Sequence, residues 1–358
     1  LQVQTSLINL SVLIKNSFTY YYTKMRYLLL FLVAFQSHAQ ISDFDHINFS
    51  KSDQIALMHK NEGLDNMPEL VYNLTSELDT DVERFRAIYM WVCHNIANDY
   101  TLYLKNKRKR NKYKNDSIKL KAWNDRFKKD VFRKLLKQEK TICTGYAYIV
   151  QQLANLANLD CEIVHGYGKT SMTNIESLDP PNHSWNAIKL DEKWYLCDPT
   201  WASGIPEPET NIFRFDYNDG YFLSNPKLFI INHFPQDQKW ILLENETHSF
   251  DEFLAAPILY GKAYTNLVEH DAPKQMHHLL HKDEKISFKY QLQKTINVES
   301  VSFLIDDGYN NKKTTPDSVS IKNQALILEH QFESNGFYDV HLYIDDDLIS
   351  TYTFKVKD

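Results

Sequence analysis

The chain has little glycine and few cysteines for its length, and these scarcities narrow the possible classes of protein. Nine glycines are spread over 358 residues, with only four cysteines. They form no glycine-rich phosphate loop, and no ladder of EF-hand ligands is present. His277, His278 and His281 are not joined by Asp, Glu or Cys in the spacing of a zinc site. The sequence therefore predicts neither a metal nor a cofactor.

Charge is distributed unevenly. The formal net charge of −6 gives no general affinity for nucleic acid. Residues 105–140 nevertheless hold 16 Lys or Arg and four acids, which leaves about −18 on the rest of the chain. The run KNKRKRNKYKND, beginning at Lys105, has no apolar periodicity and is predicted to be a solvated loop. It is either a hydrophilic insertion or a docking surface for an anionic partner, such as a cell-envelope polyanion or an acidic substrate.

The N-terminal region has the pattern of a secretory signal. Basic residues beside Met25 precede an apolar run over residues 28–35, and small residues follow. The run is shorter than the roughly 20 residues that span a bilayer. We therefore predict an upstream segment and signal peptide over residues 1–39, with Met25 as the start. The mature protein would begin near Gln40 and be periplasmic, cell-surface or secreted. An uncleaved membrane anchor is the alternative.

The remaining length predicts two domains, because it exceeds what one hydrophobic core usually serves. No Gly/Ser linker and no internal repeat is found, so the domains should abut closely. We place the first at residues 40–256, with a basic insertion at 105–140, and the second at 257–358. The second contains short alternating runs, among them ISFKYQL, SVSFLID, ALILEHQF, FYDVHLYID and ISTYTFKV, which predict a β-sandwich.

Within the first domain, periodicity predicts two helices and three strands. Thr80 and Glu83 have capping-box spacing at the start of an amphipathic helix that runs to about Ile96. A second helix runs from Thr144 to about Asn158, with Cys143 at its N-terminus. The strands are predicted at 161–167, 184–190 and 193–200, and the last two form a tight hairpin.

This arrangement predicts a site of nucleophilic catalysis. A thiol at a helix N-terminus lies near unpaired backbone N–H groups, which stabilise the thiolate of Cys143. In an antiparallel hairpin the start of one strand lies beside the end of the next, so His183 and Asp198 should be neighbours. The imidazole can then complete ionisation of the thiol while the carboxylate fixes the ring.

The motifs around these residues resemble the transglutaminase-like superfamily. Cys-x-Gly-Tyr-Ala opens the second helix, His-x-Trp-Asn opens a strand, and Trp-Tyr-Leu-x-Asp-Pro-Thr-Trp closes the hairpin. Downstream, FIINHFP is similar to a segment of the kyphoscoliosis-peptidase branch. The resemblance covers roughly residues 66–256, although Asn98 departs from the usual Ile-x-Tyr-Asp ending of the preceding helix.

What the resemblance implies is a papain-like α+β core followed by an immunoglobulin-like β-sandwich. It also implies acyl transfer on a protein or peptide substrate, with Cys143 as nucleophile, His183 as general base and later acid, and Asp198 as orienting carboxylate. Water would resolve the thioester in a peptidase or amidase, and an amine would resolve it in a glutamine-crosslinking transglutaminase. Water is favoured, because no calcium ligands of the animal crosslinking enzymes are visible. The contrasting possibility is a non-catalytic protein-binding scaffold.

The sequence leaves the roles of further site residues open. Trp185 and Trp201 match the motif and either shield the site or only pack. The backbone N–H of Cys143 is predicted to be one oxyanion donor. Gln138 is a candidate second donor, although its spacing from Cys143 is not that of papain-type enzymes, and the alternative is a surface glutamine.

The remaining histidines and cysteines are interpreted as structural. His94, His165 and His233 stand alone in apolar or turn settings. Because a nucleophilic Cys143 must be free, an odd set of cysteines is left, and we expect three buried thiols without a structural disulfide. These three are Cys93, Cys161 and Cys197. The sequence does not define an oligomeric state.

Overall fold

A computed structural model of the chain describes residues 40–173, 175, 180–207, 210, 212–243 and 247–358. The predicted signal peptide lies outside the described residues. Residues 39–358 group as one compact unit. Within the described ranges, no helix has the length and apolar character needed to cross a membrane.

The α-helices are labelled here in chain order. They are α1 Ser50–Met58, α2 Met67–Thr75, α3 Asp81–Asn95, α4 Tyr100–Tyr113, α5 Ser117–Gln138, α6 Cys143–Leu156, α7 Pro199–Ser203, α8 Pro226–Asn232, α9 Phe250–Ala255 and α10 Ala263–Asn266. Short 3-10 helices lie at Ile41–Phe44, Leu64–Asn66, Asp219–Tyr221, Gln238–Ile241 and Val298–Ser300.

The strands are labelled in the same way. Before residue 256 they are β1 Ala97–Asn98, β2 Lys140–Thr141, β3 Cys161–Gly168, β4 His183–Leu190, β5 Lys193–Cys197, β6 Gly204–Glu207, β7 Ile212–Phe215 and β8 His233–Pro235. After residue 256 they are β9 Ile258–Leu259, β10 Leu267–Ala272, β11 His277–His281, β12 Lys285–Leu292, β13 Val301–Asp306, β14 Asn311–Thr314, β15 Ser318–Lys322, β16 Ala325–Gln331, β17 Gly336–Ile344 and β18 Asp347–Lys357.

The first helix predicted from sequence is confirmed as α3. The Thr80 hydroxyl oxygen accepts a hydrogen bond from the Glu83 backbone N–H, and the Glu83 carboxylate accepts one from the Thr80 N–H, which completes the capping box. The apolar positions that defined its periodicity are buried: Val82, Phe85, Ile88, Tyr89, Val92 and Ile96. Helix α3 is thereby anchored in the main core.

The site rests on an antiparallel sheet with strand order β5-β4-β3-β8. Helix α6 packs on β3 and β4, and its small residues Ala147 and Ala154 are fully buried. The strands agree with the predicted runs to within a few residues. In the hairpin turn, Asp191 and Glu192 have φ angles of 47° and 63°, which are the left-handed values that a type I′ turn requires.

The predicted loop beginning at Lys105 is wrong, because the segment is helical. Helices α4 and α5 cover residues 100–113 and 117–138, and neither range contains glycine or proline. Lys and Arg are good helix formers, and periodicity is not required of a solvated face. Asp99 and Asp116 cap the two N-termini by accepting backbone N–H groups. Between the helices lies a small apolar cluster of Leu102, Phe127, Val131 and Ile142.

The C-terminal region after residue 256 is a β-sandwich, as predicted. One sheet has the order β10-β12-β16-β15, and the other has the order β11-β18-β17-β13-β14, with β9 also paired to β18. Aromatic rings from the two sheets meet in its interior, among them Phe288, Phe303 and Tyr352. One hydrophobic core is continuous from α3 to this sandwich. The division into domains at residue 256 stays a prediction.

Candidate active site

Cys143 is the first residue of α6 and is half-buried. The chain reaches it through β2, which pairs in parallel with β1, and the Asp99 N–H donates to the Thr141 carbonyl at 2.7 Å. Gly145 packs directly on Thr141, because a Cβ at position 145 would lie 1.8 Å from the Thr141 hydroxyl oxygen. This explains the glycine of the Cys-x-Gly motif. The first turn of α6 leaves backbone N–H groups without helical acceptors, and that of Cys143 is one of them.

The hairpin brings His183 and Asp198 together, as the strand register predicts. His183 opens β4, and Asp198 directly follows β5, whose Cys197 pairs with Asn186. The His183 Nε2 atom lies 2.7 Å from the Asp198 Oδ2 atom, and both side chains are buried. Because Nε2 is used by the carboxylate, Nδ1 is left for the thiol.

The carboxylate of Asp198 accepts four hydrogen bonds. Its Oδ1 atom accepts the backbone N–H groups of Thr200 at 2.8 Å and Trp201 at 3.1 Å, which caps α7. Its Oδ2 atom accepts from His183 and, at 3.0 Å, from Nε2 of His233. Burial alone would raise the pKa of Asp198, but the charge and hydrogen bond of His183 outweigh it. The pKa of Asp198 is therefore held well below its usual range, and the group stays ionised.

Cys143 and His183 form an interacting pair. Burial alone would raise the pKa of the Cys143 thiol, but a hydrogen bond with His183, the charge of that ring and the backbone N–H of Ser184 lower the pKa below its usual value. Burial would lower the pKa of His183, yet Asp198 and the thiolate raise it to about 10. A lowered thiol pKa beside a raised imidazole pKa favours the thiolate–imidazolium form of the pair, which is the activated form of a cysteine nucleophile.

His233 belongs to this site, although the sequence interpretation gave it only a structural role. It opens β8 opposite Gly168, is fully buried and stacks on Phe229 with ring centroids 3.8 Å apart. Burial lowers the pKa of His233 to about 4, so the ring is neutral at pH 7 and donates from Nε2 to Asp198. The only sequence signal was its place in FIINHFP, the motif that resembles the kyphoscoliosis-peptidase branch.

The two tryptophans occupy different positions. Trp201 stacks over His183 with ring centroids 4.9 Å apart and lines a cavity beside it. Trp185 is fully buried and packs edge-on against His233. Gly168 also comes so close to His183 that an added Cβ would lie 3.0 Å from the imidazole Cγ. The ring of His183 is therefore packed against both Trp201 and strand β3.

Gln138, the candidate second oxyanion donor, does not reach the cavities around Cys143. Gln138 is the exposed last residue of α5 and is not among the residues that line the cavities around Cys143. Tyr103, on α4, lines both cavities, and its phenol pKa is raised by burial and by the charge of Cys143. Sequence reasoning did not identify Tyr103, which lies two residues before the segment interpreted as a basic insertion.

Two cavities meet at Cys143 and His183. A cleft of about 530 Å³ lies on the side of α4 and α5, and a second cavity of about 160 Å³ lies on the side of Trp201. Cys143 and His183 line both of them. A substrate that occupied both cavities would therefore contact Cys143 and His183.

The same residues form a possible set of metal ligands. Ligand atoms of His183, Asp198 and His233 lie within 4.8 Å of one another. The hydrogen bonds to Asp198 Oδ2 already explain why these groups converge, and an ion bound there through Nε2 of His183 would displace the hydrogen bond from that nitrogen to Asp198. The cysteines are free, and Cys93, Cys161 and Cys197 are buried, as predicted.

Comparison with known proteins agrees with this geometry. Residues 68–199 match the family model of the transglutaminase-like superfamily. Human kyphoscoliosis peptidase is 34% identical over 217 residues, covering 58% of this chain and 30% of the relative. Hillarin of Drosophila melanogaster is 25% identical over 213 residues, covering 56% of this chain and 24% of the relative. The chain thus spans less than a third of the length of these relatives.

Among solved structures, I81 from titin aligns with 23% of this chain and 88% of its own, at 15% identity. Its TM-score is 0.15, which supports no argument about fold.

The fold, the Cys-His-Asp geometry and the family match together define a domain of the transglutaminase-like superfamily in this chain. Within that superfamily the chain is similar to the kyphoscoliosis peptidases of human and mouse, the latter at 33% identity over 211 residues.

Proposed function

We propose that the protein is a thiol-dependent acyl-transfer enzyme, acting as a peptidase or amidase on protein or peptide amides. The observation that supports this best is the interacting pair of Cys143 and His183 at the junction of two open cavities. A buried structural cysteine would have a raised pKa, as Cys93, Cys161 and Cys197 do.

The geometry supports a two-step reaction. The Cys143 thiolate attacks the amide carbonyl carbon, and the Cys143 N–H stabilises the oxyanion that develops. The C–N bond then breaks, and Nδ1 of the His183 imidazolium gives its proton to the leaving amine, leaving a thioester. Neutral His183 next takes a proton from water as the water attacks the thioester. The acid product leaves, and the thiolate–imidazolium pair is restored.

Asp198 and His233 act through His183. The carboxylate fixes the ring so that Nδ1 faces the thiol, and it stabilises the imidazolium. His233 is neutral and donates to the same carboxylate oxygen, which fixes the position of Asp198 in turn. Both are therefore positioning residues in this mechanism.

Hydrolysis is favoured over transamidation, since the similar human and mouse proteins are named peptidases. A direct test incubates a library of synthetic peptides with the protein in heavy-oxygen water containing a fluorescent primary amine. A hydrolase places heavy oxygen in new C-terminal carboxylates, and a crosslinking enzyme attaches the amine to glutamine side chains. Both products should be absent with Cys143→Ala.

A non-catalytic scaffold is the contrasting outcome of the same experiment. It would yield neither product, and mass spectrometry of acid-quenched protein would detect no thioester on Cys143. Either finding with a folded protein would contradict the proposed function.

We further propose that the protein is exported, on the basis of the signal-like pattern within residues 1–39. N-terminal sequencing of protein recovered from cell fractions tests this. An N-terminus near Gln40 in an exported fraction is expected, and an intact N-terminus in the cytosol would contradict it.

A further inference from the structure

The wall of the larger cleft that faces α4 and α5 carries positive charge. It is lined by Lys107 and Arg110 of α4, by Lys114 directly after that helix and by Lys128 of α5, together with Cys143. None of the described residues that line this cleft is Asp or Glu. The basic run that the sequence left open as insertion or docking surface therefore forms one side of the candidate active site.

These four cations lack partners of opposite charge among the described residues. The acids of the two helices pair elsewhere, in the ion pairs Asp116–Lys119, Asp125–Lys121 and Asp130–Arg133. Lys119, Lys121 and Arg133 do not line the cleft. These internal ion pairs therefore lie outside the cleft, and the acids of the segment do not neutralise the four cations that line it.

The charge reaches the reacting groups. Arg110 is half-buried, and its Nη2 donates to the Pro181 carbonyl at 2.9 Å, which fixes the guanidinium at the rim of the cleft. Its pKa is lowered by burial, and the charge of Cys143 opposes that shift. His165 also lines the cleft, and burial lowers its pKa. The nearby charge of Lys128 lowers the pKa of His165 further.

We propose that the cleft binds acidic peptide segments, so that substrates carry Asp or Glu beside the amide that Cys143 attacks. This rests on the proposed function, because an amide is the bond that a cysteine acyl-transfer site cleaves. A low-dielectric cleft lined by one sign of charge raises the local concentration of an oppositely charged substrate and orients it. Lys and Arg at the wall would then pair with substrate carboxylates.

The test uses N-chloroacetyl pentapeptides that differ only in charge, with repeated Glu, Gln or Lys. The Cys143 thiolate displaces chloride from the chloroacetyl carbon and forms a thioether, so no further reactant is needed. Mass spectrometry gives the alkylation rate of Cys143 for each peptide. We expect the Glu peptide to react at least about tenfold faster than the Lys peptide, corresponding to about 1.4 kcal/mol.

Two triple variants with the same change in net charge separate the cleft from the outer face. In Lys107→Gln/Lys114→Gln/Lys128→Gln the preference for the Glu peptide should fall at least fivefold. In the control Lys119→Gln/Lys121→Gln/Arg133→Gln it should stay within twofold of the unsubstituted chain. Raising the ionic strength to about 1 M, where the Debye length is about 3 Å, should weaken the preference in the unsubstituted chain.

The outcomes distinguish this inference from the proposed function. If Cys143 reacts readily with all three peptides at equal rates, or if both triple variants lose preference equally, the acidic-substrate inference is overturned while the enzyme stands. If Cys143 reacts with none of them, the enzyme proposal fails. Binding of the unreactive acetylated peptides to Cys143→Ala, measured by fluorescence anisotropy, then decides the inference alone: tighter binding of the Glu peptide supports it, and equal binding overturns it.

Discussion

At the scale of single residues, Asp198 links the parts of the candidate site. Its two oxygens accept hydrogen bonds from backbone N–H groups at the N-terminus of α7 and from the rings of His183 and His233. A buried carboxylate with four donors is stable as an anion, and removing a donor leaves a buried charge less well satisfied. The site therefore depends on residues that never touch the substrate.

Replacing His233 tests this dependence. His233→Phe keeps the packing against Phe229 but removes the hydrogen bond to Asp198, and we expect it to lower the free energy of unfolding by about 2 kcal/mol. Alkylation of Cys143 should also slow, because His183 loses a fixed partner. His233→Gln retains a donor and should recover most of both losses. Urea unfolding and thiol alkylation measure the two effects, and a Phe variant indistinguishable from the unsubstituted chain would contradict this role.

A substitution at Gly168 tests how closely strand β3 packs against the ring of His183. In Gly168→Ala the new Cβ would approach the imidazole to 3.0 Å, which forces the ring to shift by a few tenths of an ångström. Because reaction rates fall steeply when catalytic groups are misplaced, we expect peptide hydrolysis to slow about tenfold. The circular dichroism spectrum should not change. An unchanged rate of hydrolysis would show that the position of the His183 ring does not depend on close packing at Gly168.

At the scale of elements, α4 and α5 mark where the sequence was least informative. Their N-terminal caps, Asp99 and Asp116, were present in the sequence, but the charged run between them concealed the helices. The hydrogen bond from Trp123 Nε1 to Asn106 Oδ1, at 3.0 Å, joins the two helices and could not be read from periodicity. As a result the cleft wall and Tyr103 were missed.

Hydrogen exchange distinguishes these helices from the loop that the sequence suggested. Backbone amides of residues 104–113 and 121–138 should be protected, and Trp123→Ala should speed exchange in both ranges because it removes the contact between the helices. Exchange in β17 and β18 of the sandwich serves as the internal control. Unprotected amides throughout α4 in the unsubstituted chain would contradict the helical assignment.

Other elements were predictable because their signals are local. The capping box of α3, the position of Cys143 at the start of α6 and the two-residue turn at Asp191 each depend on a few neighbouring residues. From that turn the register followed, and so did the approach of His183 to Asp198. His233 was not predictable from the hairpin, because it comes from β8, a later strand that pairs with β3.

At the scale of the whole molecule, the two predicted domains are closely joined. Asn232 donates to the carbonyl of Leu259 at 3.0 Å, and Tyr264 packs on Tyr221 with ring centroids 4.5 Å apart. The β-sandwich is thus part of the framework that supports the sheet beneath the site.

This close junction predicts that residues 40–358 unfold in one cooperative transition. Differential scanning calorimetry should give a van't Hoff enthalpy equal to the calorimetric enthalpy. Tyr264→Ala, which removes an aromatic contact across the junction, should lower the midpoint without splitting the transition. Two separate transitions would instead mean that residues 40–256 and 257–358 are thermodynamically independent domains.

The activated thiol is the centre of this account, and the pH dependence of its alkylation tests it most directly. The rate of iodoacetamide labelling is measured at each cysteine from pH 4 to 10, in the unsubstituted chain and in His183→Ala. We predict that Cys143 alone reacts rapidly at mildly acidic pH, because its pKa is lowered, and that His183→Ala moves its profile up toward the ordinary thiol pKa of about 8.5. A Cys143 profile that already lies at or above that value, or that His183→Ala leaves unmoved, would contradict the account.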